Sequence, residues 1–325
     1  MSEQRVIARV LPASAPAAAG PDRDTAQDMC SAQDKRSVLF RETPLETCER
    51  LALGLAWAVK PSRVSALGPL ARMWLAGLVT SNRALPDARA LDGNSELAGI
   101  VPDLTVPTLL AGYRRGLFPH GHVGAPKWLS PVMRGVLELD NFRISTRLRS
   151  MMRQGRYVIT FDRDFEGVIK ACAGRRPGQW HLTWITPRIM HAYADAHDAG
   201  HVHSFEVWND RGELAGGGYG VAVGKVFVIE SQFFRESNAS KIGFSVLAWH
   251  LAEWGFELAD NKWLTPTMAQ MGFHEMPRSA YLQRLAALAD APTGTPGSAR
   301  GQGGRWEAER DSKAIADWRP GGVSA

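Results

Sequence analysis

The sequence predicts an α+β protein whose core is a run of three antiparallel strands, a long helix and a further strand. Three apolar stretches are separated by tight, glycine-bearing turns, which is the pattern of an antiparallel meander. These stretches are Val202–Trp208, Glu213–Val223 and Lys225–Phe233. A helix at Ala239–Trp254, with Ser237 or Asn238 as its cap, follows them, and Phe256–Asp260 is predicted to be the next strand. Such a mixture of strands and helices indicates the α+β class.

Further elements are predicted on both sides of this core. Those before it are Pro107–Arg115 (helix), Gly135–Leu139 (strand), Thr146–Gln154 (helix), Tyr157–Phe161 (strand), Phe165–Ala173 (helix) and Pro187–Ala199 (helix). Thr186 can cap the last of these helices, with Pro187 at its first position, and Gly200 ends it. Helices near Pro266–Met271 and Pro277–Leu288 come after the core. The order of meander, helix and strand is that of a GNAT-type acyltransferase, an analogy of fold that does not specify the acyl donor.

Composition divides the chain into four segments. They are residues 1–95, 96–160, 161–290 and 291–325. The first is an extension, predicted to be disordered to about residue 35 and then a helical hairpin, because Leu51, Leu55 and Val59 recur at helical spacing before a break at Pro61. The second is predicted to be a small N-terminal α/β domain and the third the GNAT-like catalytic domain. The fourth is rich in Gly, Pro and Ser and is predicted to be a disordered tail, with at most a short helix around Trp306–Trp318.

The apolar side of the helical hairpin is interpreted as the packing surface of an accessory element, with membrane attachment as the alternative. The chain has 325 residues, a net charge of +5 and 45% hydrophobic residues, which permits an anionic partner such as RNA without requiring one. Its three cysteines are scattered and form no metal-binding or disulfide pattern. These features predict a cytoplasmic protein without a metal or cofactor, no membrane association, and a monomeric state.

Several short motifs occur in one order along the chain. They are Asp103–Leu104, Leu110–Pro119, Trp128–Pro131, Thr183–Ile185, His203–Trp208, Gly216–Gly220, Glu230–Phe233, Asn238–Lys241 and Asp260–Lys262. In these motifs the sequence resembles the bacterial leucyl/phenylalanyl-tRNA–protein transferases, over roughly Leu97–Leu285. The resemblance implies a GNAT-like catalytic domain behind a small α/β domain. It also implies transfer of Leu or Phe from aminoacyl-tRNA to proteins that begin with Lys or Arg, which marks them for degradation and needs no ATP.

Three residues are predicted to be catalytic. Glu230 matches the carboxylate of the family's Gly-Glu-Ser-Met-Phe pattern, and Asp260 matches the aspartate that the resemblance implies supports the reacting amine. Lys262 occupies the position where the family has Gln, so a cation replaces a neutral amide. It could lower the pKa of Asp260, stabilise an oxyanion or repel a basic acceptor, and an exposed lysine without a role is the alternative. The helix that follows departs from the family pattern and keeps only its final Gly272.

The aminoacyl group and the terminal adenosine are predicted to contact five residues. They are His120, Trp184, Tyr219, Ser231 and Phe233. His120 stands where the family has a Trp that helps hold the terminal adenosine, and its ring can still stack on a base. Trp184 could equally be a core aromatic residue. The glycines around Tyr219 indicate either close approach of a ligand or a β-bulge.

The body of the tRNA is predicted to contact a basic helix face. Its residues are Arg143, Arg147, Arg149 and Arg153, with Lys241 at the start of the long helix. A solvated surface is the alternative interpretation. His201 and His203 lack further ligands for zinc, so His203 is predicted to be structural or to line a pocket.

Two other functions compete with the aminoacyltransferase. A GNAT-type enzyme that uses acyl-CoA needs a glycine-bearing pyrophosphate loop before the long helix, and Arg235–Lys241 contains no glycine. A tRNA- or degron-binding module that has lost catalysis is the other alternative, because positions 120, 262 and 267 depart from the family pattern.

Overall fold

The fold is described from a computed structural model of the chain. The structure describes residues 33–58, 68, 84–121, 124–175, 182–295 and 304–320. Two compact units divide between Leu39 and Phe40. In the first unit, residues 33–39 form a helix. Everything that follows concerns the second unit, residues 40–325.

The second unit is α+β, as the sequence predicts. Its strands are β1 (Leu97–Ile100), β2 (Phe118–His120), β3 (Lys127–Leu129), β4 (Met133–Glu138), β5 (Val158–Phe161), β6 (Val202–Trp208), β7 (Leu214–Val223), β8 (Val226–Phe234), β9 (Leu258–Asp260), β10 (His274–Pro277) and β11 (Glu309–Asp311). Its helices are α1 (Pro44–Ala58), α2 (Val106–Arg114), α3 (Thr146–Met152), α4 (Phe165–Ala173), α5 (Pro187–Asp198), α6 (Ala239–Glu253), α7 (Pro266–Ala269) and α8 (Arg278–Leu288). Short 3₁₀ turns occupy Ala88–Ala90, Leu139–Asn141 and Ser312–Ile315.

An eight-stranded sheet forms the centre of this unit, in the order β10-β4-β9-β8-β7-β6-β5-β11. The predicted meander β6-β7-β8 is confirmed, and α6 connects β8 to β9, which pair in parallel. All other neighbours in this sheet are antiparallel. A separate small sheet has the order β1-β3-β2.

Side chains alternate across β8 and divide the core into two clusters. Val226 and Val228 belong to the cluster that includes α2, α4, α5 and α8. Phe227 and Ile229 belong to the cluster that includes α6. Because neighbouring residues of a strand point to opposite faces, one strand supplies both cores. The sheet is therefore covered by helices on both faces.

The helix caps follow their local sequence. Thr186 accepts a hydrogen bond from the Ile189 N–H, and Pro187 occupies the first turn of α5, which confirms that predicted start. Gly200, just after α5, has a φ of +72°, a left-handed conformation that glycine adopts without steric cost. Asn238 precedes α6, but its side chain makes no capping hydrogen bond.

The C-terminal segment departs from the sequence prediction of a disordered tail. Within 291–325, β11 pairs with β5 at the edge of the sheet, and Trp306 is buried with its ring stacked on His203 at 3.8 Å. Burial of this indole and the ladder to β5 supply the stabilisation that a composition rich in Gly and Pro concealed. The predicted helix at Trp306–Trp318 is therefore corrected to a strand followed by a 3₁₀ turn.

The predicted boundary at residue 160 does not separate two units. β4 and β5 belong to the same sheet as β6 to β9, because hydrogen bonds from β4 to β9 and from β5 to β6 continue the sheet across that boundary. The first helix of the predicted hairpin is α1, whereas most of the second lies outside the described residues. Among the described residues, no helix is long and apolar enough to cross a membrane.

Candidate active site

Asp260, at the end of β9, is completely buried in a network of hydrogen bonds. Arg134 of β4 binds it with two nitrogens, at 2.7 Å for Nη2 and 2.9 Å for Nε, and the Tyr281 hydroxyl donates to Oδ2 at 2.8 Å. Burial opposes the charge of Arg134, but the Asp260 carboxylate, together with Tyr281 and Glu230, outweighs this and raises the pKa of the guanidinium. Asp260 is thus held in an ion pair, away from solvent.

Lys262 joins this network to a second one. Its backbone N–H donates to Asp260 Oδ1 at 2.8 Å, while its ammonium lies 3.0 Å from Oε2 and 3.0 Å from the main-chain oxygen of Glu230. The residue has a φ of +66°, an unfavourable backbone conformation for a lysine, and its carbonyl accepts from the Gly135 N–H. These contacts fix both the backbone and the ammonium, so the prediction of an exposed lysine is excluded.

Aromatic rings surround the Lys262 ammonium. It lies 5.1 Å from the centroid of Phe118 and 5.4 Å from that of Trp184. The side chain is only 7% exposed, and burial lowers its pKa while the Glu230 carboxylate opposes the shift. The neutral form is therefore easier to reach than for a lysine in water.

Glu230 sits at a β-bulge. Tyr219 of β7 faces Ser231, but the next residue, Gly220, faces Ile229, so Glu230 is the extra residue on β8. A bulge re-aims the side chain at that point, which sequence alternation alone could not show. The glycines around Tyr219 thus belong to a bulged strand pair, one of the two predicted possibilities.

Tyrosine hydroxyls continue the network beyond Glu230. The Tyr193 hydroxyl donates to Glu230 Oε2 at 2.9 Å and lies 2.5 Å from that of Tyr113. Burial and then the Glu230 charge raise the pKa of both tyrosines, so both stay protonated. Glu230 Oε1 and the Tyr219 hydroxyl are buried and have no hydrogen-bond partner among the described residues. A carboxylate oxygen without a partner can accept a hydrogen bond from a donor group of a ligand.

The rim of this site is aromatic. His120 stacks on Trp184 with centroids 5.3 Å apart, and Trp263 meets both His120 and Phe118 edge-on. The predicted pair His120 and Trp184 is therefore brought together. Trp263 was not singled out from the sequence, although its place beside Lys262 was a signal.

The other three predicted pocket residues lie in two different places along the sheet. Tyr219 is fully buried, with its ring 5.4 Å from that of Tyr193. Ser231 and Phe233 lie further along β8 and are partly buried, and Arg235 lies over the Phe233 ring. Only Tyr219 of these three touches the tyrosine network. Arg134 and Tyr281, which hold Asp260, were missed, because they are distant from it in sequence.

A second feature is a basic cleft of about 360 Å³. Arg143, Arg147 and Lys241 all line it, together with Thr267 and Gln270 of the segment that departs from the family pattern. Residues at the start of α3 and at the start of α6 line this cleft, which brings their cationic side chains together.

Two predicted tRNA contacts lie elsewhere. The Arg149 guanidinium donates to the main-chain oxygens of Ala316 and Trp318, and Arg153 pairs with Asp317 at 2.6 Å. Neither arginine lines the cleft. Both contact the C-terminal segment. Because the sequence predicted this segment to be disordered, it offered no protein partner for the two arginines, and they were assigned to the RNA instead.

His203 belongs to a separate buried cluster with Asp162 and Trp306. Its Nδ1 lies 2.8 Å from Asp162 Oδ2, which also accepts from the Trp306 N–H. His203 is structural and also lines a small cavity that includes His201, as the sequence predicts. Among the described residues, no group of His, Cys, Asp and Glu is arranged to hold a metal ion.

The sequence around these residues is similar to that of known proteins. A family model described as Leucyl/phenylalanyl-tRNA protein transferase matches residues 136–286, a range that contains Glu230, Asp260 and Lys262. A protein of that name from Pseudomonas syringae pv. syringae is 43% identical over 66% of this chain and 93% of its own length. One from Desulfatibacillum aliphaticivorans is 39% identical over 70% of this chain and 93% of its own length.

A solved structure, that of L-PGS from Bacillus licheniformis, aligns over 45% of each chain with 12% identity and a TM-score of 0.29, which is too weak to support an argument about the fold. The sequence relatives are decisive, because they are matched over nearly their whole length. On that basis, this chain belongs to the leucyl/phenylalanyl-tRNA–protein transferase family.

Proposed function

We propose that this protein transfers Leu or Phe from aminoacyl-tRNA to the N-terminal α-amine of a protein, marking that protein for degradation. Family membership supports the reaction class. The observation that carries the proposal is the buried pair of Lys262 and Glu230, 3.0 Å apart beneath an aromatic rim. This pair combines a proton acceptor with a cation in a water-poor site, which aminolysis of an ester requires.

The proposed chemistry assigns a separate role to each charged group. The neutral α-amine of the acceptor attacks the ester carbonyl, and its proton passes to Glu230 Oε1, the oxygen without a partner. The Lys262 ammonium donates to the oxyanion of the tetrahedral intermediate. When that intermediate collapses, the ester C–O bond breaks and the departing ribose oxygen takes the proton from Glu230, so it leaves as a hydroxyl. Asp260 is a positioning residue, since it acts by fixing the backbone of Lys262.

Binding is proposed to use the two surfaces described above. Trp184, His120 and Tyr219 line the aminoacyl and terminal-adenosine site, with Ser231 and Phe233 further along β8. Arg143, Arg147 and Lys241 hold phosphates of the tRNA body, because the cleft places all three cations together. No cofactor is needed, since the aminoacyl ester is already activated.

The architecture and setting of the reaction complete the proposal. An antiparallel meander followed by a long helix and a parallel strand supports a GNAT-like catalytic core. Charged tRNA is the substrate of cytoplasmic translation, so we propose that the reaction takes place in the cytoplasm. The protein is proposed to act as a monomer.

The test is direct transfer. The full-length protein is incubated with leucyl- or phenylalanyl-tRNA and peptides that begin with Lys, Arg, Asp or Glu, and the peptide mass is followed. We expect addition of Leu or Phe to Lys and Arg peptides, and a loss of about a hundredfold in Glu230→Gln. Glu213→Gln, at an exposed turn, is the matched control and should keep full activity.

The possible results separate the alternatives. Transfer only to acidic peptides would keep the reaction but show that Lys262 changes acceptor choice. Tight tRNA binding without transfer to any peptide would refute the enzyme and leave a binding module. Acylation of the peptides from acetyl-CoA would instead identify a different acyl donor.

A further inference from the structure

Trp263 is a large aromatic side chain on the rim that no step above uses. It is 36% exposed, although it directly follows the buried Lys262. Its ring lies edge-on to Phe118, with centroids 5.3 Å apart, and edge-on to His120 at 6.2 Å. Its Nε1 makes one long hydrogen bond, 3.4 Å, to Glu96. Part of the indole is therefore open to contact with a ligand.

The backbone that carries Trp263 is rigid. The Trp263 N–H donates to the Asn261 oxygen, and the Asn261 side chain donates back to the Trp263 carbonyl at 2.9 Å. Asn261 and Lys262 are both hydrogen-bonded to Gly135 on β4, where a Cβ would lie 2.7 Å from the Trp263 carbonyl carbon. This close packing fixes the backbone of Trp263, and with it the point at the edge of the site from which the indole extends.

The two other rings of the rim are already in contact. His120 and Trp184 stack at 5.3 Å with an interplanar angle of 21°, so no third ring fits between them without displacement. The Lys262 ammonium also lies over Trp184. Among the described rim residues, Trp263 therefore presents the most exposed aromatic surface to an incoming planar group.

We propose that Trp263 stacks on the terminal adenine of the aminoacyl-tRNA, beside His120. The inference rests on the proposed function and adds a residue to that site. Stacking on an indole suits a terminal nucleobase, because every base has a π-face, and single-stranded ends are read in this manner. The Lys262 ammonium and the Trp263 ring both lie against the Phe118 ring, at 5.1 Å and 5.3 Å from its centroid, so stacking of the base would bring the ester-bearing ribose next to the reacting pair.

The test compares two forms of one tRNA, complete and lacking only its 3′-terminal adenosine. Wild-type protein should bind the complete tRNA more tightly, and Trp263→Ala should lose about five- to a hundredfold of this preference, as expected for one stacked base. Affinity for the truncated tRNA should stay unchanged. Trp263→Phe retains a ring and should keep most of the preference.

Trp249→Ala is the matched control. Trp249 lies on α6 against Arg310, so its substitution should leave the affinity for both tRNAs unchanged. Equal preference in wild type and Trp263→Ala would overturn the inference while leaving transfer activity, and thus the proposed function, intact. Unchanged preference with a raised KM for the acceptor peptide would also overturn it, and would assign Trp263 to the acceptor. Failure of wild-type protein to bind either tRNA would refute the proposed function itself.

Discussion

The Lys262 ammonium lies 3.0 Å from Glu230 Oε2 and equally far from the main-chain oxygen of the same residue. Glu230 belongs to the bulge of β8 and Lys262 to the turn after β9, so the parallel pairing of these strands brings the two together. A glutamine at position 262 would leave the carboxylate without a counter-charge.

Lys262 should give the transfer rate an alkaline limb. Burial lowers its pKa despite the Glu230 charge, so the ammonium, the proposed donor to the oxyanion, is lost at a pH below the ordinary lysine value. We expect the single-turnover rate at saturating aminoacyl-tRNA to fall as pH rises through that lowered pKa. In Lys262→Gln the limb should vanish, with a rate at pH 7 reduced by about ten- to a hundredfold. If the alkaline limb persisted in Lys262→Gln, it would belong to another titrating group. The rate of spontaneous hydrolysis of the aminoacyl ester, measured without protein, is subtracted at each pH.

Tyr281→Phe tests whether Asp260 acts through Lys262. Loss of the hydroxyl that donates to Asp260 Oδ2 should cost about 1.5–3 kcal/mol of unfolding free energy, measured by urea denaturation. The value of kcat should fall with KM for tRNA unchanged. A double-mutant cycle with Lys262→Gln is the control, because a positioning effect should largely disappear when the lysine is absent. Fully additive effects on kcat would contradict this role.

The basic cleft predicts a difference between two neighbouring arginines. Arg147 lines the cleft, so Arg147→Gln should weaken tRNA binding and reduce the slope of log affinity against log salt by about 1. Arg149→Gln should leave that slope unchanged but lower the melting temperature, since its guanidinium holds the C-terminal carbonyls. Equal effects of the two substitutions on the salt slope would show that the whole helix face binds RNA.

Glu206 should make stability depend on pH. It is fully buried between Thr160 and Ser204, and burial raises its pKa to about 7 from 4.5. Because the folded state binds more protons than the unfolded state between these values, unfolding free energy should fall as pH rises from about 4.5 to 7. Glu206→Gln should remove that decline and stabilise the protein above pH 7 by up to about 3 kcal/mol. The exposed Glu275→Gln is the control, and an unchanged profile in Glu206→Gln would refute the assignment.

Much of the candidate site follows from local sequence. The motifs single out Glu230 on a predicted strand and Asp260 and Lys262 at the end of the next one, and the parallel pairing of β8 with β9 brings them to one region. His120 and Trp184 also came from motifs, and the structure stacks them. What the motifs could not provide are partners far away in the chain. Arg134 is 126 residues from the aspartate it binds.

The sequence by itself determined the class of fold and the order of the meander, α6 and β9. These depend on periodicity, turns and caps, which act over a few residues. Glu230, Asp260 and Lys262 were singled out by their match to the family motifs, and the charged Arg134 beside them was missed. The tertiary structure alone decided that the C-terminal segment closes the sheet at β5, and that Arg149 and Arg153 hold this segment. It also decided that Lys262 is buried against Glu230, with Trp263 left at the rim. Each of these outcomes depends on contacts between distant segments, whose free energy comes from burial and ion pairing that no local pattern encodes.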